Sequence, residues 1–200
     1  MVEPDAHGHP NLQDEVHAYL EKNGAKKIFL QPVHRIDRPV SGIVLFALKP
    51  SALKNLNRQF AERTVQKNYL AITQQKPTKS KGRLSHYLLK DEFHKKAIIA
   101  DHEKLGYQKV ELEYEISSLK NNFYLWKIKL ITGKYHQVRA QLAHCGCPIC
   151  GDEKYGSSFS YKPNAIALHA ASLDFNHPFT NEPICIKATC PDDELWHLLD

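Results

Sequence analysis

The chain has 200 residues, of which 42% are hydrophobic and 24% are charged, and its formal net charge is +5; this composition is that of an ordinary globular domain, with a mild indication of an anionic partner. No apolar run approaches the ~18 residues of a membrane span, and Met1 to Gln13 lack the basic and apolar regions of a signal peptide. Five cysteines, an odd number, suit a reducing compartment better than a disulfide framework, so we expect a cytoplasmic protein without a membrane partner.

The first elements predicted along the chain are a helix and a buried strand. Apolar residues at helical spacing run from Leu12 until just before Gly24, where glycine suits the end of a helix. Residues 28–30 form a short strand or a loop. Ile43 to Leu48 is an unbroken apolar run without Gly or Pro, which is typical of a strand that is buried on both faces.

A polar loop is predicted immediately before that buried strand, because Pro39 and Gly42 interrupt any regular structure there. Asp37 lies in this loop between Arg35 and Arg38. A guanidinium within ~4–6 Å would keep the carboxylate ionised and lower its pKa by ~1–3 units. Asp37 is therefore a candidate nucleophile, and the alternative is a structural ion pair that ties down the loop. The polar side chains of the loop are His34, Arg35, Asp37, Arg38 and Ser41.

The rest of the chain is predicted to be a mixture of strands and helices. A hairpin is the clearest of them, because Val110 to Ile116 alternate apolar residues with glutamates and a second alternating row follows an Asn-Asn turn. In order, the predicted elements are a helix over 51–63, a strand over 65–73, two short strands over 84–99, the hairpin over 110–130, a helix over 136–144, strands over 166–175 and 184–188, and a short helix from about 191 to 199.

Two other patterns point to different chemistry and are set aside. His144 and the neighbouring Cys145, Cys147 and Cys150 could suggest zinc, but structural zinc usually takes two separated ligand pairs, so no metal is predicted. The second pattern, HRID from His34, suggests the catalytic loop of a protein kinase. The kinase motif is His-Arg-Asp without an intervening residue, and no Gly-x-Gly-x-x-Gly occurs in the chain, so a kinase is rejected.

The polar loop and three later segments resemble one enzyme family. HRIDRPVSG, from His34, resembles the HRxD…SG signature of the RluA-type pseudouridine synthases, which isomerise uridine in ribosomal or transfer RNA. Downstream, Lys67-Asn68-Tyr69 resembles the Lys-x-Tyr of the family. GKYHQVRAQLAHCGCPICGDEKYG, from Gly133, resembles its GRxHQIRxHL…GxPIxGDxxYG, and Leu168-His169-Ala170 also match. The resemblance covers His34 to about Asp193.

The resemblance implies an α+β fold with a mixed, mainly antiparallel bent sheet, flanking helices and a central cleft. It also implies a cofactor-free isomerase in which Asp37 is the nucleophile, Arg139 pairs with Asp37, and Tyr69 stacks on a uracil that has left the RNA helix. In this interpretation Arg35 fills the vacated place in the RNA. The further residues expected to contact RNA are His34, Arg38, Lys67, His136 and Gln137.

The expected partner is ribosomal or transfer RNA and not DNA, and the chain is expected to be a monomer. We expect one catalytic domain over residues 1–200, in which 1–33 form a shortened, atypical N-terminal region and no separate N-terminal RNA-binding domain occurs. Departures from the family pattern at Pro39-Val40, Lys134-Tyr135 and Ala140-Gln141 suggest a different substrate choice. The alternative hypotheses are an RNA-binding module that has lost catalysis and an unrelated Asp/His hydrolase.

Overall fold

The structure is a computed structural model that describes residues 1–4 and 8–199. The strands in this part of the chain are β1 (Gln31–Pro32), β2 (Ser41–Gly42), β3 (Phe46–Ala47), β4 (Gln66–Thr73), β5 (Lys81–Asp91), β6 (Lys96–Ala100), β7 (Gln108–Ser118), β8 (Tyr124–Leu130), β9 (Leu168–Asn176) and β10 (Pro183–Lys187). The α-helices are α1 (Leu12–Lys22), α2 (Pro50–Ala61) and α3 (Gln137–His144). None of the described helices is both long enough and apolar enough to span a bilayer.

One large sheet organises the molecule, with its strands in the order β10-β9-β4-β8-β7-β5-β6. Every neighbouring pair along that path is antiparallel, while β2 joins β9 in parallel and β1 pairs with β3 in a separate two-stranded sheet. The predicted α+β class with a mainly antiparallel sheet is confirmed.

The predicted hairpin is β7 and β8. Leu112 pairs with Leu130 and Tyr114 with Ile128, so the apolar row of each strand faces the same side of the sheet. The turn contains Asn121 and Asn122 with φ of 58° and 60°, a backbone region that asparagine tolerates better than most residues. The pattern of alternation therefore predicted both the pairing and the buried face.

The main core lies between this sheet and α3. Its fully buried members include Ile72 of β4, Leu112 of β7, Ile128 of β8 and Leu142 of α3. A second cluster packs Leu56 of α2 against β9. Burial of large side chains of this kind contributes about 1.5–3 kcal/mol each, which fixes α3 on the sheet.

The predicted strand over Ile43 to Leu48 is wrong. Only Phe46–Ala47 is strand, and Leu48 remains 53% exposed. The chain changes partners here: the Ile43 N–H donates to Ala170 O of β9, but Leu45 O accepts from the N–H of Val33 beside the small sheet. Because the segment crosses from one sheet to the other, it is not covered on both sides, and residues 43–46 are only half-buried.

The two chain ends differ in how well their helices were predicted. Helix α1 begins after Asn11, whose side chain accepts a hydrogen bond from the Asp14 N–H at 2.9 Å, and it ends two residues before Gly24 as expected. At the other end only Trp196–Leu199 forms a 3₁₀ turn instead of the longer helix predicted from 191. The Asp193 carboxylate accepts from the N–H groups of Leu195 and Trp196, which makes a turn rather than the start of an α-helix.

Candidate active site

Asp37 lies in the loop between β1 and β2, and backbone contacts fix this loop. The Val40 N–H donates to Asp37 O at 2.9 Å, closing a tight turn, and Pro39 O accepts from the Ile166 N–H at 3.0 Å. The His34 Nε2 accepts from the Leu45 N–H at 3.1 Å. The polar cluster of the sequence is therefore a rigid loop, which suits a catalytic group.

Gly42 holds the end of this loop against the sheet. Its φ is +113°, and a Cβ at this position would lie 2.3 Å from Ala170 O and 2.6 Å from Ala170 N. Only glycine permits the backbone to approach β9 this closely. Next to it, Ser41 Oγ lies 2.9 Å from His169 Nδ1, which adds a second attachment.

Helix α3 brings the predicted partner of Asp37 to the same place. The helix begins after His136, which adopts a left-handed conformation with φ of 50°. Three residues later, the Arg139 Nη1 donates to Asp37 Oδ2 at 3.3 Å. The two residues are 102 positions apart in the sequence, and the structure brings them together as the resemblance implied.

A second carboxylate, which the sequence analysis did not select, holds the other side of Arg139. Asp152 accepts from the Arg139 Nε at 2.7 Å and from its Nη2 at 2.8 Å. The Asp152 side chain is 1% exposed and that of Arg139 is 5% exposed. The signal was present in the Gly151-Asp152 of the quoted family stretch, but its role depends on a contact that no local pattern reveals.

The pKa of Asp37 is raised above its ordinary value, because burial disfavours the charged carboxylate more than Arg139 favours it. The negative charge of Asp152 raises the pKa further, and Arg35 opposes it weakly. The lowered pKa expected from the flanking arginines is therefore wrong. Arg35 points to solvent with a side chain 70% exposed, where water screens its charge.

Tyr69 and Lys67 reach the cavity from β4. Tyr69 pairs with Ile128 of β8 and Ala170 of β9 in the centre of the sheet, so its backbone is fixed. Burial, together with the charge of Asp37, raises the pKa of Tyr69 to about 12, so the hydroxyl keeps its proton at neutral pH. Burial lowers the pKa of Lys67, and Arg63 adds to this effect.

The imidazole of His136 is part of the wall beside Asp37. Its Nε2 lies 3.9 Å from Asp37 Oδ2, its ring stacks on Tyr135 with centroids 3.8 Å apart, and its Nδ1 lies 2.9 Å from the Tyr155 hydroxyl. Burial and the positive charge of Arg139 lower the pKa of His136 to about 3. The ring is therefore uncharged at neutral pH and does not act as a cation toward RNA.

Gln137 is placed in the wall of the cavity, with its amide engaged inside the protein. Its Oε1 accepts from the Thr132 hydroxyl at 2.8 Å and from the Lys134 N–H at 3.1 Å. Its Nε2 donates to Glu111 O at 3.1 Å and to Gln141 Oε1 at 3.0 Å. The contact of Gln137 with RNA stays a prediction, and these bonds give the residue a structural role in shaping the loop before α3.

His34, Arg35 and Arg38 line the approach to Asp37. His34 stacks on Phe60 with ring centroids 5.1 Å apart, and burial lowers its pKa to about 4, so it is neutral. Arg35 lies 3.6 Å from Glu3 on the surface, and Arg38 is exposed beside it. The two arginines remain the candidates for RNA contact from this loop.

These side chains enclose a cavity of about 240 Å³. This volume is below the ~300–1,000 Å³ of pockets for drug-sized ligands and suits one planar base. A wider groove of about 690 Å³ continues from it past the N-terminal residues 1–4. The lysines and arginines along this groove are Arg35, Arg38, Lys90, Lys95, Lys134, Arg139 and Lys154.

The cysteine segment after α3 does not assemble with His144 as a metal site in the described part of the chain. Cys147 and Cys150 are 2% and 1% exposed and belong to the apolar core. Burial raises their pKa to about 11 and about 12, so both remain uncharged thiols at neutral pH.

His144 instead approaches Asp101 at 2.8 Å, and His86 lies 3.9 Å from the same oxygen. These three groups are close enough to hold an ion. However, Gln141 Nε2 lies 3.1 Å from His86 Nδ1 and its amide oxygen is already occupied, so Nδ1 must accept and Nε2 carries the proton. A protonated Nε2 has no lone pair to offer a metal ion, so His86 in this tautomer does not act as a ligand.

A family model described as RNA pseudouridylate synthase matches residues 2–144. The chain belongs to the RNA pseudouridylate synthase family. The resemblance proposed from HRIDRPVSG is thereby confirmed, and Asp37, Tyr69 and Arg139 all lie within the matched residues.

Curated relatives of this chain have names that refer to ribosomal and transfer RNA. The chain is 36% identical over 166 residues to the ribosomal large subunit pseudouridine synthase C of Vibrio vulnificus. This alignment covers 80% of the chain and 51% of that protein. The enzyme of the same name from Haemophilus ducreyi is 36% identical over 188 residues, or 91% of the chain and 58% of that protein. A tRNA pseudouridine synthase C from Vibrio parahaemolyticus is 33% identical over 84% of the chain and 74% of that protein. The chain thus spans about half the length of the first two relatives.

Solved structures confirm the pseudouridylate synthase fold. The human RNA pseudouridylate synthase domain containing 4 aligns with a TM-score of 0.77 at 21% identity, covering 96% of this chain and 83% of that chain. The human RNA pseudouridylate synthase domain containing 1 aligns with a TM-score of 0.74 at 23% identity, and the alignment covers 90% of this chain and 74% of that chain.

Proposed function

We propose that the protein isomerises uridine in ribosomal or transfer RNA to pseudouridine, with Asp37 as the nucleophile. The observation that carries this proposal is the Asp37–Arg139 contact at the wall of a base-sized cavity, built from residues 102 positions apart. The names of the relatives support RNA as the substrate.

The reaction breaks the bond between N1 and C1′ and forms a bond between C5 and C1′. The proton leaves C5 and a proton is taken up at N1, so the product is an isomer and no oxidant, reductant or cofactor is consumed. A carboxylate oxygen of Asp37 assists either by adding to the base or by adding to C1′. Both routes change the charge on Asp37, and Arg139 provides a fixed electrostatic partner during that change.

The uridine must leave the RNA stack to reach Asp37, at a cost of a few kcal/mol. Tyr69, which lines the cavity from the rigid centre of the sheet, offers a flat face for the base, and stacking of this kind contributes ~1–3 kcal/mol. Arg35 is exposed at the mouth of the cavity, and its exposed ion pair with Glu3 is weak enough to break when Arg35 occupies the place left by the base.

The groove outside the cavity suits the RNA backbone. Its lysines and arginines, together with the net charge of +5, supply the phosphate contacts that position an RNA without reading its sequence. In this proposal the cavity selects uridine and the groove holds the strand.

Release of tritium from RNA that carries [5-³H]uracil tests the proposal directly, because C5 must lose its hydrogen. We expect release with the unmodified protein, and a loss of at least about 10³-fold with Asp37→Asn, which keeps the shape of the side chain but not its charge. Asp192→Asn, on an exposed carboxylate beside His197, is the matched control and should release tritium normally.

Two results would reject the proposal. RNA binding without tritium release would indicate an RNA-binding module, and strand cleavage would indicate a hydrolase.

A further inference from the structure

The guanidinium of Arg139 is shared unequally between two carboxylates. Two of its nitrogens, Nε and Nη2, bond Asp152 at 2.7 and 2.8 Å, whereas Nη1 reaches Asp37 at 3.3 Å. The bond to Asp152 is the two-point arrangement that a guanidinium and a carboxylate prefer, and the bond to Asp37 is single and long.

The two carboxylates also differ in burial. The side chain of Asp152 is 1% exposed, while that of Asp37 is 25% exposed and faces the cavity. A buried guanidinium with two carboxylates carries one net negative charge. Asp152 therefore neutralises Arg139 from behind, on the side that a substrate cannot reach.

We propose that Asp152 is a positioning residue for the isomerisation: it fixes the direction of Arg139 and takes up most of its charge, so that Asp37 remains a reactive carboxylate instead of half of a closed ion pair. This inference rests on the proposed function. Asp37 keeps one oxygen outside its contact with Arg139, and that oxygen is available for attack.

The arrangement also solves a problem that arises during the reaction. When Asp37 forms a covalent bond to the substrate, its negative charge disappears. Without Asp152, Arg139 would then be a buried cation with no partner, which is strongly unfavourable. With Asp152 in place, the cation stays paired throughout, so the barrier to adding Asp37 to the substrate is lower.

Tyr155 supports the same geometry from a third side. Its ring lies under the guanidinium, with the Arg139 Cζ 5.1 Å from the ring centroid. Its hydroxyl accepts from the Ala97 N–H at 2.7 Å and lies 2.9 Å from His136 Nδ1. The guanidinium plane is therefore held by packing as well as by charge.

The groups that face Asp37 allow a clear pH test. They are Arg139 and His136 from α3 and its cap, Tyr69 and Lys67 from β4, Lys134 from the loop before α3, Arg35 and His34 from the loop that carries Asp37, and Asp152. His34 and His136 titrate near 4 and 3, and Tyr69 near 12. A fall in kcat/KM on the acid side of the pH profile (the acid limb), at a pH above the pKa values of these two histidines, therefore reports on the protonation of Asp37.

The test is the pH profile of kcat/KM for tritium release by Asp152→Asn. Removing the charge of Asp152 leaves that of Arg139 to Asp37 alone, so Asp37 should lose its proton more readily and the acid limb should move down by about 1 pH unit. We expect kcat to fall by about 10–100-fold, because the guanidinium is no longer held, and KM to change little. A loss of activity that follows loss of folded protein, with an unmoved acid limb, would overturn the inference.

Asp193→Asn is the matched control. Asp193 is also a buried carboxylate, 9% exposed, which accepts from the Tyr161 hydroxyl at 2.6 Å and lies 2.8 Å from Lys162 Nζ. It does not line the cavity. This variant should lose stability and leave the acid limb where it is in the unmodified protein.

A second variant keeps the test decisive if Asp152→Asn does not fold. Asp152→Glu retains the charge in an altered position, so its kcat should fall while its acid limb stays in place; a limb that moves down would contradict the inference. Failure of the inference is distinct from failure of the proposed function: absence of tritium release by the unmodified protein rejects the function, whereas normal release with unshifted variants rejects only the role of Asp152.

Discussion

At the scale of single residues, burial has more influence than charge pairing on the pKa values of Asp37, His34 and His136, whereas for Arg139 the paired carboxylates outweigh burial. The pKa of His34 falls to about 4 and that of His136 to about 3, so both imidazoles are neutral at pH 7, and their contact with RNA stays a prediction. Asp37 follows the same rule with the opposite sign, because burial raises the pKa of an acid and lowers that of a base.

The raised pKa of Asp37 predicts that the charged carboxylate needed for activity lowers the stability of the folded protein at neutral pH. The folded protein binds the Asp37 proton more tightly than the unfolded chain does, so stability falls as the pH rises through the folded-state pKa. Asp37→Asn removes this penalty and should be inactive yet at least as stable as the unmodified protein at pH 7.

Urea unfolding at several pH values measures this effect. The advantage of Asp37→Asn should shrink as the pH is lowered toward the ordinary carboxyl value near 3.9. A variant that is less stable at pH 7 and gains relative stability in acid would contradict the raised pKa.

At the scale of elements, the site is formed where β2, β4, β9 and α3 meet. Strand β2 is only Ser41–Gly42, yet its parallel pairing with β9 fixes the loop that carries Asp37. The apolar run over residues 43–48 wrongly predicted a strand, because a run of apolar residues does not show which backbone segment the chain pairs with. Helix α3 was predicted to within one residue, although no side chain caps its first turn.

The close approach of Gly42 to Ala170 of β9 can be tested by substitution. Gly42→Ala places a Cβ 2.3 Å from Ala170 O at a φ of +113°, so the strands must separate. We expect a loss of at least about 2–3 kcal/mol in the free energy of unfolding, and a lower kcat because the Asp37 loop moves.

Thermal unfolding and tritium release would be compared with Gly24→Ala. Gly24 also has a positive φ, +88°, but open space around it, so this control carries the backbone strain without the clash. Equal losses for the two variants would show that the contact with Ala170 is unimportant.

At the scale of the whole molecule, charge is distributed according to the proposed function. The groove that leads to Asp37 has seven lysines and arginines against two acidic residues, Glu3 and Asp37. The cleft along β4, β7 and β8 has Lys127, Lys129 and Lys187 beside Glu113 and Glu115. A net charge of +5 alone gives no such direction. The excess of basic residues in the groove favours it as the path of the RNA.

Lys134→Gln tests this polarity. Lys134 lines both the cavity and the groove, so its loss should weaken binding to all RNA sequences alike and reduce the slope of log K against log salt by about 1. Lys127→Gln, in the cleft that also contains Glu113 and Glu115, is the control and should leave the slope unchanged. Filter binding over a range of salt concentrations measures both, and equal slopes for the two variants would contradict an RNA path along the groove.

Local sequence patterns predicted the hairpin β7–β8 and the helices α1 and α3, and motif resemblance identified Asp37 and Arg139. These features depend on periodicity and on short motifs, which can be read from the sequence alone. The raised pKa of Asp37, the contact of Asp152 with Arg139 and the neutral state of His136 follow from the tertiary structure. Each of these depends on burial and on distances between residues far apart in the chain, and such quantities arise only when the sheet brings the segments together.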